Sequence, residues 1–375
     1  MLAASSGVQT STREEQTVRS QYQSGNISNS EFVRLIQDFS EEGGYFWSDN
    51  FISNETSYLH IVDKLKELGA SGGAYIGVGP EQNFTYIAKI HPRIAFIVDI
   101  RRQAMIQHLL FKSLFDMAPN RSRFLSLLLS KPLAGKEAPG QTASIDDLVA
   151  YFTKTATDER AFTSNLAEVR RIIIEEIKFP LTKEDQTGLE YIYKSFREEG
   201  LEISFRLDGG WAFGYFPSLK QLLREGNLNG KQGNFLASSE DYDFVRTLQE
   251  RNRIIPIVGD FAGKKALAAI GAYLRKTGDT VSVFYLSNVE QYLFEGGSFS
   301  GFVDNVKTLP TSDKSLFIRS VFDRNRPHPV QIWGHRVTTL LQSIPVFLKD
   351  CEEKRNTSYW DLVTTHYVAG ERSKL

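Results

Sequence analysis

Residues 72–99 read GGAYIGVGPEQNFTYIAKIHPRIAFIVD, and the parsing of that stretch decides the fold. A short apolar run, Ala74 to Ile76, enters a Gly-x-Gly turn at Gly77 and Gly79. A helical pattern follows, and a second apolar run from Ile94 to Val98 ends on a single acid, Asp99. The order strand, tight turn, helix, strand, acid is the first half of a nucleotide-binding βαβ unit. Apolar runs closed by Gly and by Asp are the pattern of strands buried on both faces of a parallel sheet.

Working outward, the same grammar resumes late in the chain. Ile254 to Val258 ends at Gly259-Asp260, Val281 to Leu286 ends at Ser287-Asn288 before a short helix, and Leu316 to Val321 makes a fifth strand. Pro256 is the weak point of the third strand, since proline lacks the ladder N–H. Repeated βα alternation predicts an α/β fold: a Rossmann-like, mostly parallel sheet with helices on both faces and right-handed crossovers. Between the second and third strands lies a largely helical insertion, about residues 131–235. It opens at the Pro/Gly/Ser-rich KPLAGKEAPGQTAS, 131–144, and carries three helical pieces between Ile145 and Glu199. The run from Phe205 to Phe216, dense in Gly and aromatics, reads as either a pocket wall, the favoured reading because it interrupts an otherwise regular pattern, or a compact loop packed on its own aromatics.

Upstream, residues 1–27 are rich in Ser, Gln, Thr and Gly and bury too little apolar surface to offset their ordering entropy, so a disordered tail is expected. A helix capped by Ser53 or Asn54 carries Tyr58, Leu59, Ile61, Val62, Leu65 and Leu68 on one face. The polar, aromatic segment before it, Tyr45 to Asn54, is either a lid over the cleft or a surface loop pinned by its aromatics. The main domain spans 28–330, and 331–375 is a C-terminal extension.

Composition narrows the function classes. Lys+Arg 44 against Asp+Glu 45 leaves a net charge of −1, so no overall field draws in nucleic acid or an anionic membrane. No run approaches the ~20 apolar residues of a membrane span, and the N-terminus lacks a signal-peptide core. Cys351 is the only cysteine, which excludes an intrachain disulfide and a cysteine-based zinc site and fits a reducing cytoplasm. The six histidines show no metal-ligand spacing, and no G-x-S-x-G elbow is present. No metal is expected.

In an open α/β sheet the ligand sits outside the carboxyl ends of the strands, where this chain places Gly77, Gly79, Asp99, Asp260 and Asn288. Asp99 stands 22 positions after Gly77, which suits a ribose-binding acid; the alternative is a strand-end acid capping the helix at Arg101. A P-loop is excluded, because no Gly-Lys-Ser or Gly-Lys-Thr follows the turn. A dinucleotide site lacks its third glycine, where Gln82 stands, and Glu81 would repel a pyrophosphate at the helix start. An acid there suits a ligand that carries an ammonium group and a ribose, as S-adenosylmethionine does.

Taken together, Gly77-Val78-Gly79, Asp99, Gly259-Asp260 and Ser287-Asn288 resemble the class I S-adenosylmethionine-dependent methyltransferases. More closely, SDNFISNETSYLH, YIGVGPEQNFTYIA, FIVDIRRQ, IVGDFAGKKAL and FYLSNVEQYLF resemble a family of bacterial methyltransferase-like proteins of uncharacterised activity. The resemblance runs from about Phe32 to Arg319. It implies Gly77, Val78 and Gly79 against the methionine part, Asp99 and Ile100 at the ribose, and Gly259, Asp260 and Phe261 by the adenine. Two positions depart from the pattern: Tyr75 stands where most class I enzymes have an acid, and Glu81 where they have a further glycine. Glu81 then supplies the missing acid from the other side of the turn.

Methyl transfer is an in-line displacement that needs positioning more than a catalytic cluster. Tyr285, Asn288 and Glu290 are the candidate catalytic residues: Asn288 holds the acceptor through its amide and Glu290 takes a proton. The alternative makes Asn288 an N-cap and Glu290 an early-turn acid favoured by the helix dipole. The expected function is S-adenosylmethionine binding, with methyl transfer to a small-molecule or protein acceptor. A non-catalytic nucleotide-binding or regulatory protein is the first alternative and an NAD-dependent oxidoreductase the second.

Overall fold

The structure, a computed structural model, describes residues 25–207, 216–323 and 326–372. Among these residues six strands form one sheet: β1 (Ala74–Gly77), β2 (Ile94–Asp99), β3 (Ile254–Val258), β4 (Val281–Ser287), β5 (Leu316–Phe322) and β6 (Val337–Ser343). Their spatial order is β3-β2-β1-β4-β5-β6. The first five are parallel, with Ala74 opposite Ile94 and Phe96 opposite Ile255. β6 returns antiparallel to β5, from Leu316 opposite Ser343 to Phe322 opposite Val337. The chain starts at the centre, moves out through β2 and β3, and restarts on the other side at β4. That reversal opens a crevice between the carboxyl ends of β1 and β4.

β1, β2 and β3 are buried along their whole lengths, as their unbroken apolar runs require. Pro256 is accommodated because β3 is the sheet edge, with β2 on one side only. β6 lies beyond the boundary placed at residue 330, inside the stretch read as an extension. Thr338, Thr339 and Gln342 interrupt its apolar run, yet all three are buried, and Thr339 shares a 2.8 Å hydroxyl contact with Ser57.

Helices flank the sheet. Phe96 of β2 packs against Phe39 of the helix Asn29–Phe39 and Tyr273 of the helix Ala266–Thr277. Phe84 of the helix Gln82–Ile90 sits edge-on to Phe111, Phe115 and Phe235, a geometry that adds about 0.5–1.5 kcal/mol per ring pair beyond area burial. The insertion is mostly helical, with Ile145–Lys154, Glu159–Arg171 and Lys183–Glu199 as its main pieces. Ser144 and Thr182 start two of them through capping boxes with Asp147 and Asp185. The break at 179–182 falls where a π-helical turn, Ile172–Glu176, ends the second.

Two expectations of local structure are corrected. The helix read from Ser53 starts at Val62 and ends at Glu67, because Ser53 bonds elsewhere: its hydroxyl goes to Gln82 and its backbone N–H to Glu81. The tail assigned to 1–27 lies outside the described residues except for Gly25 to Ile27. Ile27 is buried, and its N–H bonds Arg251 O at 3.1 Å. No helix among the described residues is long and apolar enough to cross a membrane.

Candidate functional site

The Gly-x-Gly turn is braced from behind. Asn83 donates to the carbonyls of Val78, Gly79 and Pro80 at 2.9, 3.1 and 2.8 Å, and the Tyr75 hydroxyl donates to its side-chain oxygen at 2.9 Å. His108 Nε2 lies 2.9 Å from Gly79 O; burial holds that imidazole down at about 4, so it is neutral and donates. Gly79 has φ +79°, a left-handed value that favours glycine. At Gly77 the constraint is packing, since a Cβ would run into the Asn83 amide oxygen and the Tyr75 ring. Gly77 therefore serves the turn's packing and does not line the cleft.

Above the turn lies a cleft of about 1080 Å³, walled by the carboxyl ends of β1, β2, β3, β4 and β5. It is large enough for two small ligands side by side. Val78, Gly79, Asp99, Ile100, Gly259, Asp260, Phe261, Tyr285 and Asn288 all line it. So the structure brings to one wall most of the positions singled out from the sequence, from four separate segments.

Three of those positions differ from expectation. Glu81 points away from the cleft and accepts the Ser53 N–H at 3.2–3.3 Å; burial pushes its carboxyl up to about 7, against the pull of that hydrogen bond. Glu290 is 1% exposed and ion-paired with Arg319, which also reaches Gln342 and lies over the Phe317 and Phe347 rings. That pair anchors the helix Val289–Glu295 to β5 and leaves no carboxylate for the cleft. Asp99 is present on the wall, but Arg101 already engages it: Oδ1 accepts the Arg101 backbone N–H at 2.9 Å and Oδ2 accepts Nη2 at 3.0 Å. A carboxylate has about four lone-pair sites, so the Asp99 carboxylate keeps acceptor capacity beside Arg101.

Asn288 starts the helix Val289–Glu295 without a side-chain cap bond and lines the cleft, with its amide oxygen 3.4 Å from the Ser287 hydroxyl. Next to it, Ser287 is held at φ +50°, where the β4–β5 register is irregular. A non-glycine residue in that region stores ~1–3 kcal/mol of strain and persists only where its surroundings over-determine it. Here the surroundings are Glu55. The Glu55 carboxylate lines the cleft, accepts the Ser287 hydroxyl on Oε1, and accepts Ser320 Oγ at 2.6 Å and Gln82 Nε2 at 2.8 Å on Oε2. Gln82 Nε2 also reaches the Tyr285 hydroxyl at 3.0 Å. Burial and the neighbouring Glu55 charge hold the Tyr285 phenol well above its ordinary range, so it stays protonated.

Glu55 and Gln82 are the residues that sequence reasoning missed. Glu55 lay in a stretch parsed as a helix start, and Gln82 was read only as an absent glycine. The one available signal was an acid flanked by hydroxyls, SNETS, immediately after an aromatic segment.

The segment Tyr45 to Asn54 crosses the cleft. Ser48–Asp49 pairs antiparallel with Arg206–Leu207 of the insertion, and Tyr45, Phe46, Trp47 and Asn50 line the opening. The proposed pocket wall lies outside the described residues over 208–215, while its ends, Phe205 and Phe216, line the cleft. Among the described lining residues are five carboxylates, Glu55, Asp99, Asp260, Glu295 and Asp323, against two guanidinium groups and no lysine. Both guanidinium groups are ion-paired within the cleft, Arg101 with Asp99 at 3.0 Å and Arg336 with Asp323 at 3.3 Å.

Sheet order, crevice and wall define a doubly wound α/β protein with a cleft at its switch point whose described lining holds more carboxylates than guanidinium groups. Residues 50–135 and 140–373 match the family described as a domain of unknown function (DUF7790), and the chain belongs to that family. No curated protein matches the chain.

Proposed function

We propose that the cleft binds S-adenosylmethionine and that the protein transfers its methyl group to a small acceptor. The observation that carries this reading is the charge of the cleft. Among the described lining residues five carboxylates stand against two guanidinium groups, which favours a ligand bearing positive charge over the pyrophosphate of a dinucleotide. S-adenosylmethionine carries a sulfonium, an ammonium and a ribose. In the proposed pose Asp99 and Ile100 take the ribose, Asp260 and Phe261 flank the adenine, and the Val78-Gly79 turn lies along the methionine part. Glu55, in place of Glu81, supplies the acid beside the ammonium.

In this scheme the chain's own residues bind and orient. Asn288, one residue beyond the strained Ser287, holds the acceptor, and the strap Tyr45 to Asn54 limits water access. Effective positioning alone can supply several kcal/mol of the barrier to an in-line displacement. A cytoplasmic location is part of the proposal and rests on the lone cysteine.

Calorimetric titration of the purified protein with S-adenosylmethionine, S-adenosylhomocysteine and NAD tests the reading. Saturable adenosyl binding that Asp99→Asn weakens at least tenfold is expected; binding of NAD alone, or of none of the three, overturns it.

A further inference from the structure

Ser287 ends β4 at its junction with the helix Val289–Glu295, half-buried and lining the cleft. Its φ is +50°, a conformation that glycine would hold without strain, yet the residue there is serine. Strain of this kind gathers at functional sites. The Ser287 hydroxyl donates to Oε1 of Glu55, whose carboxylate is 1% exposed. From the other side Oε2 accepts Ser320 Oγ at 2.6 Å and Gln82 Nε2 at 2.8 Å. All three partners are neutral, so no cation among them weakens the carboxylate as a base.

These are the parts of an activated nucleophile: a hydroxyl on a strained strand-to-helix turn, a base within hydrogen-bond reach, and groups that orient the base. The glycines of a G-x-S-x-G frame are missing, with Tyr285 and Val289 in their places, so no sequence motif marks the turn. The Asn288 side-chain amide lies beside the hydroxyl, its oxygen 3.4 Å from Ser287 Oγ. With its nitrogen turned to the same place, that amide can donate to the oxyanion of a tetrahedral intermediate. Ser320 supplies the contrast. It donates to the same carboxylate, but it is 0% exposed and does not line the cleft, so its bond only orients Glu55.

We propose that Ser287 is a nucleophile with Glu55 as its general base, and that the cleft accepts an uncharged carboxylic ester as acyl donor. Carboxylates outnumber guanidinium groups among the described lining residues, which disfavours an anionic phosphoryl donor. Ser287 Oγ attacks the ester carbonyl carbon while its proton passes to Glu55 Oε1, and the carbonyl electron pair moves onto oxygen. Collapse of that intermediate re-forms the carbonyl and breaks the bond to the alkoxy group, which leaves with the proton from Glu55. Water then attacks the acyl-serine and gives a proton to Glu55; the bond to Oγ breaks, the carboxylic acid departs and Ser287 regains its proton. Gln82 and Ser320 are positioning residues in this scheme. It does not rest on the methyl-donor reading.

The test incubates the full chain with diisopropyl fluorophosphate, an uncharged probe whose fluoride is displaced from phosphorus by an activated serine oxygen, and locates the adduct by peptide mass mapping. One adduct is expected, at Ser287 and not at Ser320, and none in Ser287→Ala. Glu55→Gln should slow the labelling roughly a hundredfold, with its melting temperature as the control for folding. p-Nitrophenyl acetate should likewise acetylate Ser287 and release p-nitrophenolate in wild type but not in Ser287→Ala. A wild-type map with no adduct at Ser287 overturns the proposal, and that result decides even where Glu55→Gln melts early. A labelling rate unchanged in folded Glu55→Gln overturns it too, because a purely structural hydrogen bond would then be all that Glu55 provides. Labelling at Ser287 in a protein that binds no adenosyl compound supports the nucleophile and refutes the methyl-donor reading alone.

Discussion

Replacing Glu81 by Gln should make the protein more stable at neutral pH and flatten its stability profile between pH 4.5 and 7. The carboxyl titrates from 4.5 in the unfolded chain to about 7 in the folded one, raised chiefly by burial. A group whose pKa is raised on folding binds more protons in the native state over that window. Its contribution is complete below 4.5 and is lost as pH rises through 7. At 1.36 kcal/mol per pKa unit, the loss amounts to about 3 kcal/mol. Glutamine keeps an oxygen for the Ser53 N–H and has no proton to lose. The stability of Glu81→Gln minus that of wild type should therefore climb by up to about 3 kcal/mol from pH 4.5 to 8. His60 and His108, both lowered to about 4 by burial, give the opposite slope, since their contribution is lost as pH falls below 6.5. Both proteins share that slope, so it cancels in the difference. Urea unfolding followed by tryptophan fluorescence at half-unit pH intervals measures it. A difference that is flat or falls with pH would refute the burial of the Glu81 carboxyl and its turn away from solvent.

Two further outcomes separate packing from conformation and structure from chemistry. Gly79→Ala should cost ~1–2 kcal/mol from its left-handed φ, since the nearest atom to a Cβ is Asn50 Nδ2 at 3.9 Å, whereas Gly77→Ala should cost ~3 kcal/mol by displacing the Asn83 brace; chemical denaturation ranks the two. Glu290→Ala, which leaves Arg319 buried without its carboxylate, should destabilise by ~3–5 kcal/mol while leaving adenosyl affinity within twofold, measured by denaturation and calorimetry on the same samples.

The parallel sheet was readable along the chain because burial on both faces demands unbroken apolar runs. Gly259-Asp260 and Ser287-Asn288 then marked where those runs stop. From strand ends alone Gly77, Gly79, Asp99, Asp260 and Asn288 were expected on one side of the sheet, and all of them except Gly77 line one cleft. Pro256 looked like an obstacle only because a sequence does not say which strand is the edge. β6 escaped notice because its Thr and Gln residues are buried through partners such as Ser57, 282 positions away.

Side-chain direction was the part the sequence could not carry. Glu81 and Glu290 are acids at helix starts, indistinguishable along the chain from residues that face a ligand. Tertiary structure turns the first toward Ser53 and buries the second against Arg319. Conversely Glu55, hidden in a polar loop, is drawn onto the cleft wall by hydroxyls from β4 and β5. Periodicity and punctuation report which backbone segments are buried and where they end. The partner of a buried carboxylate is set by long-range contacts, and those contacts decided which acids this cleft holds.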